Sequence, residues 1–202
     1  RYISNVSSGK QGHEIAIALN KLGISTTLIT GPSNLFSPKG LKVKKITSGN
    51  EMLNEVKKSL PVDLVVCAAA VSDFKPAEKS KSKIKKENMN LKSINFVKSV
   101  DILEYISKNN KHRPRLVAGF SAETENLIKN SISKMKKKHC DLIFANDVSQ
   151  KGIGFNSDYN KVSVIDKSGK IKILKKNKKS LIASKIAEIL LDKLILDDRN
   201  IN

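Results

Sequence analysis

Apolar residues recur along this chain in two alternating rhythms. From Glu14 the residues Ile15, Ala16, Ala18, Leu19 and Leu22 fall on one helical face, and Gly23 supplies the stop. Short apolar runs follow at Ser25–Thr30 and Leu41–Ile46, then a helical stretch over Ser48–Ser59, then the run VDLVVCAAA at Val62–Ala70, which reads as a buried strand. After a long polar segment, Val71–Asn88, the pattern predicts a strand near Leu91–Phe96 and a helix from about Val100 to Lys108. A strand at Leu116–Ser121, a helix over Glu125–Lys138 and a strand at Asp141–Ala145 complete the series. Apolar strands alternating with helices predict a largely parallel sheet wrapped by helices. The last quarter differs. Lys161–Asp166 and Lys170–Leu174, joined by Lys167, Ser168 and Gly169, read as a hairpin, and amphipathic Ser180–Leu194 as a closing helix. The expected architecture is a Rossmann-like three-layer α/β fold with a mostly parallel sheet and a C-terminal hairpin plus helix, in a single domain spanning residues 1–202.

Composition narrows the classes. A chain of 202 residues with 39% hydrophobic content can bury a full core. No apolar run reaches the length of a membrane span, the start has no signal-peptide pattern, and the two cysteines, Cys67 and Cys140, sit in or beside apolar runs, as reduced core thiols of a cytoplasmic protein do. The formal net charge of +19 raises the alternative of a basic nucleic-acid-binding module. Against it, the lysines are scattered in small groups and only 4% of residues are aromatic, with no interleaved stacking platform. A nicotinamide-dependent Rossmann oxidoreductase shares the alternating layout, but no G-x-G-x-x-G follows a strand.

Ligands of such sheets bind beyond the carboxyl ends of the strands, and the sequence is rich in small and polar residues there: AAAVSDF at 68–74, GFSAET at 119–124 and NDVS at 146–149. The opening RYISNVSSGKQG leads into the first helix, whose N-terminal N–H groups and dipole, with Lys10, favour an anion. A plainer reading of the same residues is a capping box, Ser8 with Gln11. Lys83–Lys86, KIKK, reads either as a cationic flap over phosphates or as a solvated charge run. Asp73 and Asp147 read as site acids or as turn caps, and Glu123 as a partner of the following helix dipole. The histidines His13, His112 and His139 are scattered, and neither a catalytic triad nor a metal cage is evident.

Taken in order, RYISNVSSGKQG, AAAVSDF, KIKK, GFSAET, ANDVS and GFNSDYN closely resemble the phosphopantothenoylcysteine synthetases of the bacterial CTP-using type. These are commonly the C-terminal half of a bifunctional protein whose N-terminal half is a flavin decarboxylase. The resemblance implies a two-step ligation in coenzyme A biosynthesis. The carboxylate of 4′-phosphopantothenate attacks the α-phosphate of CTP, and the cysteine amine then attacks the acyl-cytidylate to release CMP. It implies Mg²⁺ on the nucleotide phosphates, FMN only where a decarboxylase half precedes, and a homodimer or larger homo-oligomer. Carried over by motif, Asn5 would polarise the acyl intermediate and Lys83 would stabilise the charge of nucleotidyl transfer. Arg1, Asn5, Ser8, Gly9 and Lys10 would serve the acid substrate. CTP would meet Cys67, Ala68, Ala69, Asp73, Lys83, Val100, Asp101, Ile102, Leu103, Phe120, Lys134 and Lys138, the last two sharing one helix face. Relatives carry a first strand and a glycine-containing turn immediately before the RYISN segment, and that strand would lie inside the sheet. This sequence also has Val100 where many relatives have proline, and Gln11 where many have methionine.

Overall fold

A computed structural model describes residues 7–78, 94–109, 111–149, 153 and 157–199. Along the chain run α1 (Lys10–Lys21), β1 (Thr27–Thr30), β2 (Lys42–Lys45), α2 (Gly49–Ser59), β3 (Leu64–Cys67), β4 (Phe74–Pro76) and β5 (Phe96–Lys98). They are followed by α3 (Ile102–Ser107), β6 (Leu116–Glu123), α4 (Leu127–Lys138), β7 (Leu142–Asp147), β8 (Tyr159–Asp166), β9 (Ile171–Lys178) and α5 (Lys179–Arg199). The expected order of helices and parallel strands is present, with two differences. The run at Val62–Ala70 pairs only over Leu64–Cys67, because its ladder to β6 ends at Cys67 and Gly119 and the alanines beyond leave the sheet. Of the strand expected near Leu91–Phe96, residues 91–93 lie outside the described residues; the strand that follows, β5, starts at Phe96 and does not join the parallel series. It pairs antiparallel with β4, a strand inside the segment read as polar loop, in the register Phe74 to Lys98 and Pro76 to Phe96.

Caps explain the helix starts. Ser48 accepts a hydrogen bond from the Glu51 N–H, while the Glu51 carboxylate accepts from the Thr47 N–H at 2.9 Å, closing a reciprocal cap on α2. Asp101 caps α3 through the Glu104 N–H at 2.9 Å. The capping box expected at Ser8 and Gln11 does not form. Gly9 is the N-cap of α1, at φ 73°, where glycine alone is unstrained, and no side chain caps the helix. The Gln11 side chain is drawn elsewhere, accepting from Asn160 Nδ2 at 3.1 Å.

The main sheet runs in the order β3-β6-β7-β8-β9, parallel from β3 to β7 and antiparallel from β7 to β9. Side chains alternate across it. Leu116, Ala118, Leu142 and Phe144 point to the face covered by α1 and α5, where they pack with Ile15, Leu19, Ile182, Ile186 and Leu190. Val117, Ile143, Ala145 and Ile165 point to the face covered by α2, α3 and α4, packing with Met52, Leu103, Ile106 and Met135. Both faces are dry, which is why the central strands read as unbroken apolar runs. This is the three-layer Rossmann-like arrangement, with the hairpin β8–β9 and helix α5 at its C-terminal end.

β1 and β2 form a separate parallel pair, not hydrogen-bonded to the main sheet among the described residues. Thr27–Thr30 and Leu64–Cys67 together line a groove of about 1870 Å³. The two parallel sets thus face one another across this groove. Two carboxylates fasten the rest. Asp141 accepts from the Val117 N–H and from Arg113 Nη2, both at 2.9 Å, and Arg113 also reaches the carbonyls of Ser107 and His139. Asp166 closes the hairpin turn, accepting from the N–H groups of Ser168 and Lys170 and from Lys193 Nζ at 2.8 Å.

Replacing Asp141 by alanine leaves the Val117 N–H and the Arg113 charge without this acceptor, and is expected to cost about 1–3 kcal/mol in urea unfolding. A loss within error of zero would contradict the role. Burial pushes the Asp166 carboxyl up, but the Lys193 ammonium, the Ser168 hydroxyl and the Lys170 N–H outweigh it and bring it to about 2 from 3.8. Because the folded value lies below the unfolded one, this stabilisation is complete above about pH 4 and is lost as pH falls through about 2. It amounts to about 2 kcal/mol. Asp166→Asn should therefore flatten that part of the acid-unfolding curve, and an unchanged acid limb would refute the assignment.

Candidate functional site at the carboxyl ends of the parallel strands

Parallel pairing brings the ends of β3, β6 and β7 to one edge of the sheet, with Cys67 beside Gly119 and Glu123 beside Asp147. α1 starts over the same edge. A Cβ on Gly12 would sit 3.4 Å from the Ala68 Cβ, so glycine and alanine together let the helix N-terminus come down onto the chain leaving β3. His13, 7% exposed, packs its ring against this turn, with Nδ1 3.1 Å from the Gly9 carbonyl, which only accepts, so Nδ1 carries the proton of that contact. Gly119 has a matching reason. A Cβ there would lie 2.7 Å from Leu103 Cδ2, so its absence lets α3 close over the strand end.

The groove between the two parallel sets continues to this edge. Of the residues carried over by resemblance, Ser8, Gly9, Cys67, Ala68, Ala69, Asp73, Val100, Asp101, Ile102, Leu103, Phe120, Lys134 and Lys138 all line it. The segments that contribute them are far apart in sequence and are joined only by the fold. Lys10 is not among the lining residues. Its ammonium turns to Asp158, 2.6 Å away. Arg1, Asn5 and Lys83 lie outside the described residues, as does the KIKK segment. Asp147 turns its carboxylate onto the Ser149 N–H and hydroxyl, at 3.0 and 2.6 Å, which is the turn cap of the plainer reading. Glu123 accepts from the Ser121 hydroxyl at 2.5 Å and from Asn130 Nδ2 at 3.3 Å, so it bonds to side chains beside it rather than simply complementing a dipole.

The positive charge on α4 is less open than the spacing of Lys134 and Lys138 suggests. Lys138 Nζ sits 2.5 Å from Asp101 Oδ2 and 3.0 Å from Glu104 Oε2. Burial lowers its pKa, but the hydrogen bonds to these two carboxylates outweigh burial and raise it. Glu104 is held down to about 2 by Lys108 first and by Lys138 second. Asp101, expected as a ligand contact, thus has two structural duties as well, capping α3 and anchoring Lys138. Glu104 is a member of this cluster that the sequence reading missed. Its position three residues after a helix-capping aspartate was the available signal. Among the described residues no group of three or more histidine, cysteine, aspartate or glutamate side chains is arranged to hold a metal ion.

A profile described as DNA/pantothenate metabolism flavoprotein C-terminal domain matches residues 1–194. The chain belongs to that family. It is 42% identical over 192 residues to the coenzyme A biosynthesis bifunctional protein CoaBC of Borreliella burgdorferi, covering 94% of this chain and 48% of the relative. It is 37% identical over 205 residues to the protein of the same name from Escherichia coli, covering 99% and 49%. The chain therefore spans about half the length of the curated relatives it matches. The crystal structure of the C-terminal domain of a coenzyme A biosynthesis bifunctional protein CoaBC superposes with a TM-score of 0.79 at 28% identity, covering 98% of this chain and 88% of that one. No helix among the described residues is long and apolar enough to cross a membrane.

The two thiols give this family member a direct test of the groove wall. Burial pushes the Cys67 thiol up to about 12, with nearby negative charge adding less, and the Cys140 thiol up to about 11, against a backbone hydrogen bond and the Lys134 and Arg113 charges that lower it. Thiolate is the reactive form, so at pH 8 Cys67 should react with iodoacetamide more slowly in the folded protein than in the unfolded chain. Rapid labelling of Cys67 in folded protein would contradict this environment.

Proposed function

We propose that the chain catalyses the CTP-dependent ligation of 4′-phosphopantothenate to L-cysteine, in coenzyme A biosynthesis. What supports this reading is the convergence on one groove of the residues that match the synthetase motifs, drawn from the α1 start, the β3 end, the α3 start, β6 and α4. The names of its relatives point to the same pathway. The chemistry asks for little more than positioning and neutralisation of phosphate charge, because nucleotidyl transfer spreads negative charge over phosphate oxygens.

In the first step a carboxylate oxygen of the acid bonds to the α-phosphorus of CTP and pyrophosphate leaves. In the second, the cysteine nitrogen bonds to the acyl carbon, loses a proton, and CMP departs with the oxygen that bridged carbon and phosphorus. The backbone from Cys67 to Ala69, opened by alanine, and the first turn of α3 supply close approach to the nucleotide. Phe120, with its ring centroid 5.1 Å from that of Phe144, gives an apolar wall. Lys134 brings positive charge to the nucleotide side, Lys138 borders it while paired with Asp101 and Glu104, and Ser8 and Gly9 border the acid. Mg²⁺ would neutralise the triphosphate, with Asp73 the carboxylate at the groove suited to hold it, since such ions need one or two carboxylates besides phosphate oxygens. Asn5 is assigned to the acyl intermediate and Lys83 to nucleotidyl transfer. We assign residues 1–202 to a single ligase domain that acts in the cytoplasm as a homodimer or larger homo-oligomer.

Pyrophosphate release from CTP should require 4′-phosphopantothenate, measured on the protein with any residues its gene encodes ahead of Arg1. Release that ignores the acid, or none at all, would remove the reading. Lys83→Gln should cut turnover by ~10²- to 10³-fold, the loss typical of one preorganised electrostatic donor. A folded variant with normal turnover would sink that role. Asn5→Asp is expected to spare activation and block amide formation, so acyl-cytidylate accumulates; normal product yield would refute it.

A further inference from the structure

Amide formation needs a base. As the cysteine nitrogen bonds to the acyl carbon it sheds a proton, and a group with an open lone pair has to stand within hydrogen-bond reach of it. The carboxylates that line the groove are committed elsewhere. Glu55 holds Lys58 at 2.7 Å, Asp63 lies 4.0 Å from Arg115, and Asp101 and Glu104 hold Lys138. Asp73 stands with the nucleotide phosphates in the ligase reading.

His13 differs from all of these. Of the three histidines it alone lines the groove, and it is 7% exposed. The Gly9 carbonyl accepts from both the His13 backbone N–H and ring Nδ1, each at 3.1 Å. The ring rests on Gly9, where a Cβ would come within 3.7 Å of Nδ1 and 3.8 Å of Cε1. One end of the imidazole is therefore clamped, with its proton on Nδ1, and Nε2 keeps its lone pair. Among the described residues Nε2 has no partner. Nor is it sealed away, because the fully buried side-chain polar atoms without a partner, among the described residues, are the hydroxyls of Ser107 and Ser131. Nε2 thus opens to the groove that His13 lines.

The position suits the second step. His13 belongs to the turn that brings Ser8 and Gly9, beside the acid, against the backbone beside the nucleotide, since a Cβ on Gly12 would sit 3.4 Å from the Ala68 Cβ. The bond joining acid to nucleotide, and with it the acyl carbon, has to form between those two sets of residues. Packing accounts for the ring and its Nδ1 contact, but it does not call for an open nitrogen at the other end, and buried polar atoms ordinarily find partners.

We infer that His13 Nε2 is the base of the amide-forming step. On the ligase reading, on which this assignment rests, Nε2 takes the proton that the cysteine nitrogen sheds as the N–C bond forms. The bond from the acyl carbon to the bridging oxygen breaks with its electron pair leaving on CMP, and the imidazolium passes the proton to water.

The test follows the two steps separately in single turnover with CTP, 4′-phosphopantothenate and cysteine, on the protein with any residues its gene encodes ahead of Arg1. His13→Gln keeps a donor for the Gly9 carbonyl and removes the base. It should release pyrophosphate, accumulate acyl-cytidylate and form amide ~10²- to 10⁴-fold more slowly, the range of a general base. Hydroxylamine, which attacks acyl phosphates unaided, should trap the intermediate in the variant as fast as in wild type. Added imidazole should rescue amide formation by His13→Ala in proportion to its neutral form as pH is varied, a dependence that refilling a packing defect would not follow. Amide formation at the wild-type rate in folded His13→Gln, equal slowing of both steps, or the absence of such rescue overturns the assignment. Should neither variant fold, the ¹⁵N shifts of the wild-type ring decide: a neutral ring protonated at Nδ1 upholds it, and one protonated at Nε2 overturns it. If wild type releases no pyrophosphate, the ligase reading fails and takes this assignment with it; release of pyrophosphate with undiminished amide formation in the variant removes His13 alone.

Discussion

Cys67 lies beside Gly119, and Gly119 beside Ile143, because β3, β6 and β7 run parallel, and a parallel ladder makes its strands finish at the same edge. That pairing is what turns separate polar segments into one surface. AAAVSDF leaves β3, the end of GFSAET overhangs β6, and ANDVS finishes β7, so each must emerge near the others. The same ladder gives both faces of the sheet to helices. α1 is thereby held on one face with its first turn over Ala68, and α3 on the other with Leu103 against Gly119. The groove runs from this edge between the main sheet and the separate pair β1–β2.

Charge is organised under scarcity of acid. With 38 lysines and arginines against 19 aspartates and glutamates, carboxylates have to be shared. Glu104 serves Lys108 and Lys138, and Asp166 serves a lysine, a hydroxyl and two N–H groups. Asp158 stands among three lysines. Where sharing suffices, as at Asp166, the result is a fastened turn.

Much of this was legible in the sequence. The dry strands announced themselves as unbroken apolar runs, and Gly23 marked the end of the first helix to within a few residues. Gly12 with Ala68, and Gly119 with Leu103, make tight approaches between helices and strand ends, the close packing that small residues at these positions allow. What was not legible depended on long-range partners. Ser8 and Gln11 fit a capping box locally, yet Gln11 is taken by Asn160, 149 positions away. β4 was hidden because Phe74–Pro76 is short and proline-terminated, and only pairing with β5 makes it a strand. Lys138 shares a helix face with Lys134, as its spacing required, but the carboxylates that hold it come from α3. The burial of Lys179 gave no signal at all, since it stands in a run of exposed lysines.

The central claim is that the acid's carboxylate becomes bonded to the α-phosphorus of CTP before the amide forms. Ligation with 4′-phosphopantothenate carrying ¹⁸O in its carboxylate tests this most directly, by mass analysis of the nucleotide product. The account predicts one ¹⁸O in the phosphate of CMP for each amide made. Unlabelled CMP, or label appearing in inorganic phosphate, would contradict it.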